Sequence, residues 1–437
     1  MRSSFWHMLI KRFSTTLRQD GIGAALGKSW RYVIRRLRGH GPSSVAQSSG
    51  SSPNPSARYL TPAWQDLAQQ NAFHISAAPA TLQRRRQIAL IGDLNLPQCR
   101  KYRVEQLAMF WQARGVEFVY AHYEDIPRAT SILQQATHLF EYRLKSTEVT
   151  QMLRYEARRL RLPVLYDLDD PLFSVSAYGT YGNMTAVDPA LKTHFLNEAP
   201  KYLDMMNGAD ALSVSTPGMI AHTGLYSPRP TYLRRNFADR QTLDQGTKAM
   251  QAKQPEDGYF RVAFASGSQG HEADLAEIMQ GLSGFILADP KRRLMLMGHV
   301  DIKALPIGLD KQVERFRFSD YGEYLGGLAR ADCAVMPLSD DVFNGCKSAV
   351  RVLDAAAVAV PSVVGTIGDL AAVVRHGETG LIVGDDAGWF DALQRLERDP
   401  RQARNMGQAA RKDVETRWNA KAEPHIISPE LVRWVED

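Results

Sequence analysis

Cysteine is scarce in this 437-residue chain: Cys99, Cys333 and Cys346 are scattered, show no metal-ligand spacing and are odd in number. That argues against a disulfide framework and makes a reducing cytoplasm the expected compartment. Also missing is any run approaching the roughly 18 to 20 apolar residues of a spanning helix, and the early patch FWHMLI is too short for a signal-peptide core. The glycine-bearing stretch GSQGH at 267–271 is not a dinucleotide fingerprint.

No nucleic-acid recognition motif accompanies the net charge of +6, and that charge is confined to one place. Residues 1–40 carry nine Lys or Arg against the single Asp20, a balance of +8, which leaves −2 for the other 397 residues. The body is therefore neutral to acidic, and nucleic acid is not an expected partner. Within this basic arm, Phe5, Trp6, Leu9, Ile10, Trp30, Tyr32 and Val33 are interleaved with the cations. Such a composition suits an amphipathic segment at an anionic membrane surface, although a basic tail without structure has it too. The expected localisation is cytoplasmic and peripheral, at the inner face of the membrane.

Residues 41–83 read as a Ser/Pro-rich linker and lead-in. From there, strand-like and helix-like stretches alternate, which predicts an α/β fold of two parallel-sheet halves. The first half is expected over 84–240, a linker over 241–258, the second half over 259–418, and a tail over 419–437 that crosses back to the first. Beyond the first strand, Val104, Leu107, Ala108 and Trp111 give helical periodicity. Tyr102 and Arg103 sit at that helix's entrance, where an open sheet meets its ligand. The stretch LPVLYDLDDPLF delivers Asp167, Asp169 and Asp170 to the end of a buried strand that Pro171 terminates. Carboxylates this close repel unless a metal, a cation or a shared proton offsets them, or unless they cap the next turn. Residues 174–197 read as a long irregular stretch able to act as an acceptor lid, followed by a helix over 198–208.

The chain is organised around NGCKSAVRVLDAAAVAVPSVVG at 344–365. Asn344 and Gly345 supply a cap and a turn, and a helix is expected from Lys347. Its packing face holds Ala349, Val350, Leu353, Ala356 and Ala357, while Lys347, Arg351 and Asp354 fall at i, i+4 and i+7 on another stripe. Cations beside a helix N-terminus suit a phosphate, and a carboxylate one turn deeper suits paired ribose hydroxyls. A solvated helix face carries the same pattern.

These segments resemble GT-B glycosyltransferases of the retaining family 4, and within it a bacterial surface-polysaccharide subgroup. That subgroup has Lys-Ser, a basic residue and an acid where Lys347, Ser348, Arg351 and Asp354 stand. Its SGS-x-x-H-x-x-D-L is matched from Ser266, its Cys-x-x-Tyr-Arg by Cys99, Tyr102 and Arg103, and its DLDD by 167–170. The resemblance implies GT-B architecture, with two Rossmann-like domains facing each other across a cleft. It implies a hexosyltransferase that retains anomeric configuration, uses a nucleotide diphosphate sugar as co-substrate and needs no metal or other cofactor. The acceptor would be a carbohydrate or lipid-linked carbohydrate. Donor-binding candidates are Gly267, Ser268, His271, Asn344, Lys347, Ser348, Arg351 and Asp354. Acceptor-binding candidates are Tyr102 and Arg103, and catalytic candidates are Asp169 and Asp170. Two other readings of the acidic run stay open, a GT-A-type metal-binding D-x-D and the nucleophile of a haloacid-dehalogenase-like phosphatase. Two departures stand out: Asp354 replaces the usual Glu, and Cys346 replaces the first acid of the family pattern. The second keeps open a non-catalytic nucleotide- or carbohydrate-binding partner in a polysaccharide assembly complex.

Overall fold

The computed structural model describes residues 85–185, 188–253, 257–267, 271–300, 305–420 and 424–437. The basic arm 1–40, the linker 41–83 and Ser268 therefore lie outside the described residues.

The first lobe is a parallel sheet of β1 (Gln87–Gly92), β2 (Glu117–His122), β3 (His138–Tyr142), β4 (Val164–Leu168), β5 (Ala211–Val214) and β6 (Thr231–Leu233), in the order β2-β1-β3-β4-β5-β6. Strands β1, β3, β4 and β5 are buried at every residue. That is what continuous apolar runs such as QIALIG become when helices cover both faces of a parallel sheet. Alternate residues serve opposite faces: Ile88, Leu90, Phe140 and Leu165 pack with Trp111, while Ala89, Ile91, Leu139 and Tyr166 belong to a separate cluster.

The second lobe repeats the plan with β7 (Phe260–Ser266), β8 (Arg292–Gly298), β9 (Val313–Phe316), β10 (Cys333–Met336), β11 (Ser362–Val364) and β12 (Gly380–Ile382), in the order β12-β11-β10-β7-β8-β9. Strand order reverses between β1 and β3 in one lobe and between β7 and β10 in the other. Crevices outside the carboxyl ends of such neighbours are where open sheets bind ligands.

Two stretches differ from expectation. The segment 241–258, read as a linker, is helical over Arg240–Gln251, because Asp239 caps it through the Thr242 N–H and its apolar side joins the second lobe. A Cβ on Gly246 would meet the Ala357 carbonyl oxygen at 2.0 Å, so this helix touches Val350–Ala357 at its backbone. The stretch 174–197 is not irregular throughout. A helix Val175–Thr180 capped by Ser174 leads to a 3-10 turn at Gly182–Thr185, then to a helix Pro189–Asn207 that Asp188 caps. Asp before Pro is a start signal that places this helix nine residues ahead of the predicted 198.

The C-terminal segment returns to the first lobe. Ser428 N–H donates to the Leu233 carbonyl, and Trp434 in the helix Pro429–Glu436 lies 5.1 Å from the ring of His138. No described helix is long and apolar enough to cross a membrane.

Candidate active site

The segment 344–354 faces the first lobe, and its course differs from a single helix begun at Lys347. Asp341 caps a short helix, Val342–Gly345; residues 346–349 are not helical; and Val350–Ala357 follows. The break has a physical cause in the first lobe's SerThrProGly stretch. Thr216 Oγ1 donates to the Cys346 carbonyl at 3.0 Å, and a Cβ on Gly218 would lie 2.2 Å from the Gly345 carbonyl oxygen. With the chain clasped there, Lys347, Arg351 and Asp354 point to three places.

Lys347 Nζ reaches Asp170 Oδ1 of the first lobe at 3.2 Å and stands over the rings of Phe343 and Tyr181. Burial alone would lower its pKa, but the attraction of Asp170 outweighs this and holds the ammonium above its usual value. Arg351 donates to the Ala265 carbonyl at 3.3 Å, at the end of β7, and has no carboxylate within ion-pair distance among the described residues. Burial pushes its pKa down, opposed by Asp274. Asp354 is enclosed and accepts from the phenols of Tyr102 at 2.5 Å and Tyr321 at 2.7 Å. The residue expected to hold ribose hydroxyls thus meets tyrosine hydroxyls here, and Tyr102, expected to contact an acceptor, is turned to Asp354. Burial raises the Asp354 pKa to about 6, with the two phenol hydrogen bonds working against it.

The three acids after β4 separate as sharply. Asp167 is buried, gripped by Arg103 through Nε at 2.9 Å and Nη2 at 2.6 Å, with the Ser213 hydroxyl on the same carboxylate. Arg103 is fully buried and also donates to the Arg234 carbonyl at 2.7 Å, so the expected acceptor contact is instead an internal strut. Asp169 lies at the cleft, 3.3 Å from both Arg143 Nη1 and the Tyr142 hydroxyl. Asp170 takes Lys347. Each carboxylate thus meets its own cation, which removes the repulsion that their spacing threatened. It also leaves Asp167, the residue a phosphatase would need as nucleophile, inaccessible.

At the second lobe's switch point the organising residue is Asp274, which the sequence reading did not single out. It is fully buried and accepts from His271 Nδ1 at 2.8 Å, Asn183 Nδ2 at 2.9 Å, Ser339 N–H at 3.1 Å and Asn344 Nδ2 at 3.0 Å. Burial would raise its pKa, but the bonds from His271 and Asn183 outweigh burial and hold it low. Its signal was the helical spacing to His271, three residues earlier. Asn344, expected to touch the donor, is fully buried and ties Asp274 to Asp341. Gly267 is exposed, with a built Cβ 4.0 Å from Gln98 Nε2 of the first lobe, and Ser348 Oγ accepts from Asn236 Nδ2 at 3.1 Å. Cys346 is buried, its thiol pushed up to about 12 by burial and then by Asp170, so it offers neither charge nor nucleophile.

Across the lobes, Lys347 meets Asp170, Ser348 meets Asn236, His271 meets Asn183, and Gly267 lies near Gln98, while Arg351 stays on the Ala265 carbonyl of its own lobe. The geometry withdraws Arg103, Asn344, Tyr102 and Asp354 into the structure. A cation on one side with a carboxylate across the cleft can hold an anion and direct a hydroxyl toward it.

Residues 274–399 match the family model described as "Glycosyl transferases group 1". No curated protein matches the chain. Sucrose-phosphate synthase from Thermosynechococcus elongatus is 17% identical, with a TM-score of 0.52 over 77% of this chain and 95% of that one. A glycosyltransferase from Rickettsia africae is 10% identical, with a TM-score of 0.51 over 77% and 95%. WaaG, a glycosyltransferase involved in lipopolysaccharide biosynthesis, is 11% identical, with a TM-score of 0.50 over 76% and 95%. At these identities the likeness is one of fold. The chain has the GT-B fold, and its second lobe carries a segment similar to group 1 glycosyl transferases.

Proposed function

We propose that this chain is a glycosyltransferase that moves a hexose from a nucleotide diphosphate sugar to a carbohydrate or lipid-linked carbohydrate acceptor in surface-glycan synthesis. One observation carries the reading: within the segment that matches the family model, Arg351 reaches the end of β7 at the Ala265 carbonyl, and Lys347 meets Asp170 of the first lobe. In the reaction the bond from the sugar's anomeric carbon to the diphosphate breaks and a bond to the acceptor oxygen forms. Negative charge grows on the departing diphosphate, where Lys347, Arg351 and the N–H groups near Gly267 stabilise it without a metal. The acceptor proton leaves to the diphosphate or to an acid at the cleft, for which Asp170 is better placed than Arg143-bound Asp169. Retention of configuration rests on the resemblance alone. Cytoplasmic placement, with the basic arm at the membrane, fits a lipid-linked acceptor.

Cys346, uncharged where the family pattern has its first acid, favours a second reading: a nucleotide- or carbohydrate-binding partner without turnover. The test is release of nucleoside diphosphate from a panel of UDP-, GDP- and dTDP-sugars, with a membrane extract as acceptor source and with or without magnesium. Release that needs no magnesium and disappears in Lys347→Ala supports the transferase. Binding without release supports the partner, and absence of both overturns the donor site.

A further inference from the structure

The first lobe supplies partners to the polar groups that a donor would use on the second. Lys347 rests on Asp170 and Ser348 on Asn236. The His271–Asp274 pair is met by Asn183, at 3.4 Å and 2.9 Å. Tyr181 lies flat on Phe343, with ring centroids 4.1 Å apart and planes 10° apart, and Gly182 N–H points to Asp341 Oδ2 at 3.4 Å. Tyr181, Gly182 and Asn183 belong to one excursion of the first lobe after β4, and it enters the second lobe at the switch point.

We propose that residues 178–184, together with Asp170, form a plug that a nucleotide diphosphate sugar must displace. Asp170 occupies Lys347 in place of a phosphate, and Asn183 occupies His271 and Asp274 in place of ligand hydroxyls. The proposal rests on the donor-site reading given above.

Three features make the plug displaceable. The Lys347–Asp170 pair is a single contact with side chains 21% and 22% exposed, so water and ligand can reach it, unlike the sealed Arg103–Asp167 pair. A diphosphate carries more than one negative charge and outcompetes a single carboxylate for the same ammonium. Asn183 Oδ1 is buried with no hydrogen-bond partner among the described residues, a loss that opening recovers from water. The exchange has a consequence for order of binding. Donor phosphate on Lys347 frees the Asp170 carboxylate at the cleft, so the acceptor hydroxyl gains its partner only after the donor is in place.

The test is amide hydrogen exchange of the full chain with and without saturating UDP, GDP or dTDP, together with nucleotide affinity for Asn183→Ala and Asp170→Asn. The expected result is faster exchange over 178–184 when nucleotide binds, with affinity rising about five- to tenfold in each variant, the weight of roughly one hydrogen bond. Unchanged or slower exchange with nucleotide bound overturns the plug and makes the segment a fixed wall of the site, as would weaker binding in both variants. Wild type and both variants all failing to bind any nucleotide would remove the donor site itself and the plug with it. That outcome is distinguished from the first by the missing binding signal.

Discussion

Asp167 and Asp170 stand three residues apart and each faces one cation, yet the two pairs belong to different kinds of structure. Arg103–Asp167 is sealed, with side chains 0% and 1% exposed and the guanidinium Nε and Nη2 both on the carboxylate. Lys347–Asp170 is a single contact at the cleft between lobes. In a dry site neither partner can be left alone, so the pair is architecture. At a hydrated edge either partner can exchange its counter-ion for a ligand, so the pair is chemistry. Burial, rather than residue type or spacing, decides which acid of one motif does which task.

Breaking the sealed pair gives the largest effect. Arg103→Ala leaves a buried carboxylate without its cation and is expected to cost about 3–5 kcal/mol, read as a lowered denaturation midpoint in urea. A loss below about 1 kcal/mol would erase the distinction between the two pairs.

Asp354 is as enclosed as Asp167 but is held by phenols instead of a guanidinium. Its pKa is raised from 3.8 to about 6, so the stability it contributes is present below pH 3.8 and lost as pH rises through about 6. Asp354→Asn cannot ionise. Relative to wild type it should therefore gain up to about 3 kcal/mol between pH 4 and pH 7, as paired urea titrations would show. A pH-independent difference would mean that the carboxyl is not enclosed.

Gly218→Ala probes the closeness that creates the cleft. A methyl there collides with the Gly345 carbonyl, and overpacking of this kind costs about 1–3 kcal/mol, measurable by thermal unfolding. Lys347→Ala should be the mildest for stability, under about 1 kcal/mol, while abolishing any stabilisation by nucleotide. The main loss should thus be of stability at Arg103 and of nucleotide binding at Lys347.

Much of the architecture was legible because it rests on local pattern. Apolar runs such as QIALIG and VLY became buried parallel strands, and their carboxyl ends carry the residues singled out there. The site was legible only in part. Lys347 and Arg351 are at the cleft, but Arg103 and Asn344 are polar residues whose burial depends on partners far away in sequence, Asp167 and Asp274. Nothing near Lys347 signals that its helix begins at Val350, because the break is imposed by Thr216 and Gly218 of the other lobe. Helix Arg240–Gln251 was missed because its polar composition outweighed the cap at Asp239.

The donor site on Lys347 is tested most directly by thermal unfolding of wild type and Lys347→Ala with UDP-, GDP- and dTDP-sugars, with and without magnesium. A ligand that binds only the native state must raise its apparent stability, by about 2.7 kcal/mol at a hundred times the dissociation constant. The expected result is a rise with one nucleotide, independent of magnesium and absent in Lys347→Ala. No rise with any nucleotide, or one that survives the loss of Lys347, would contradict it.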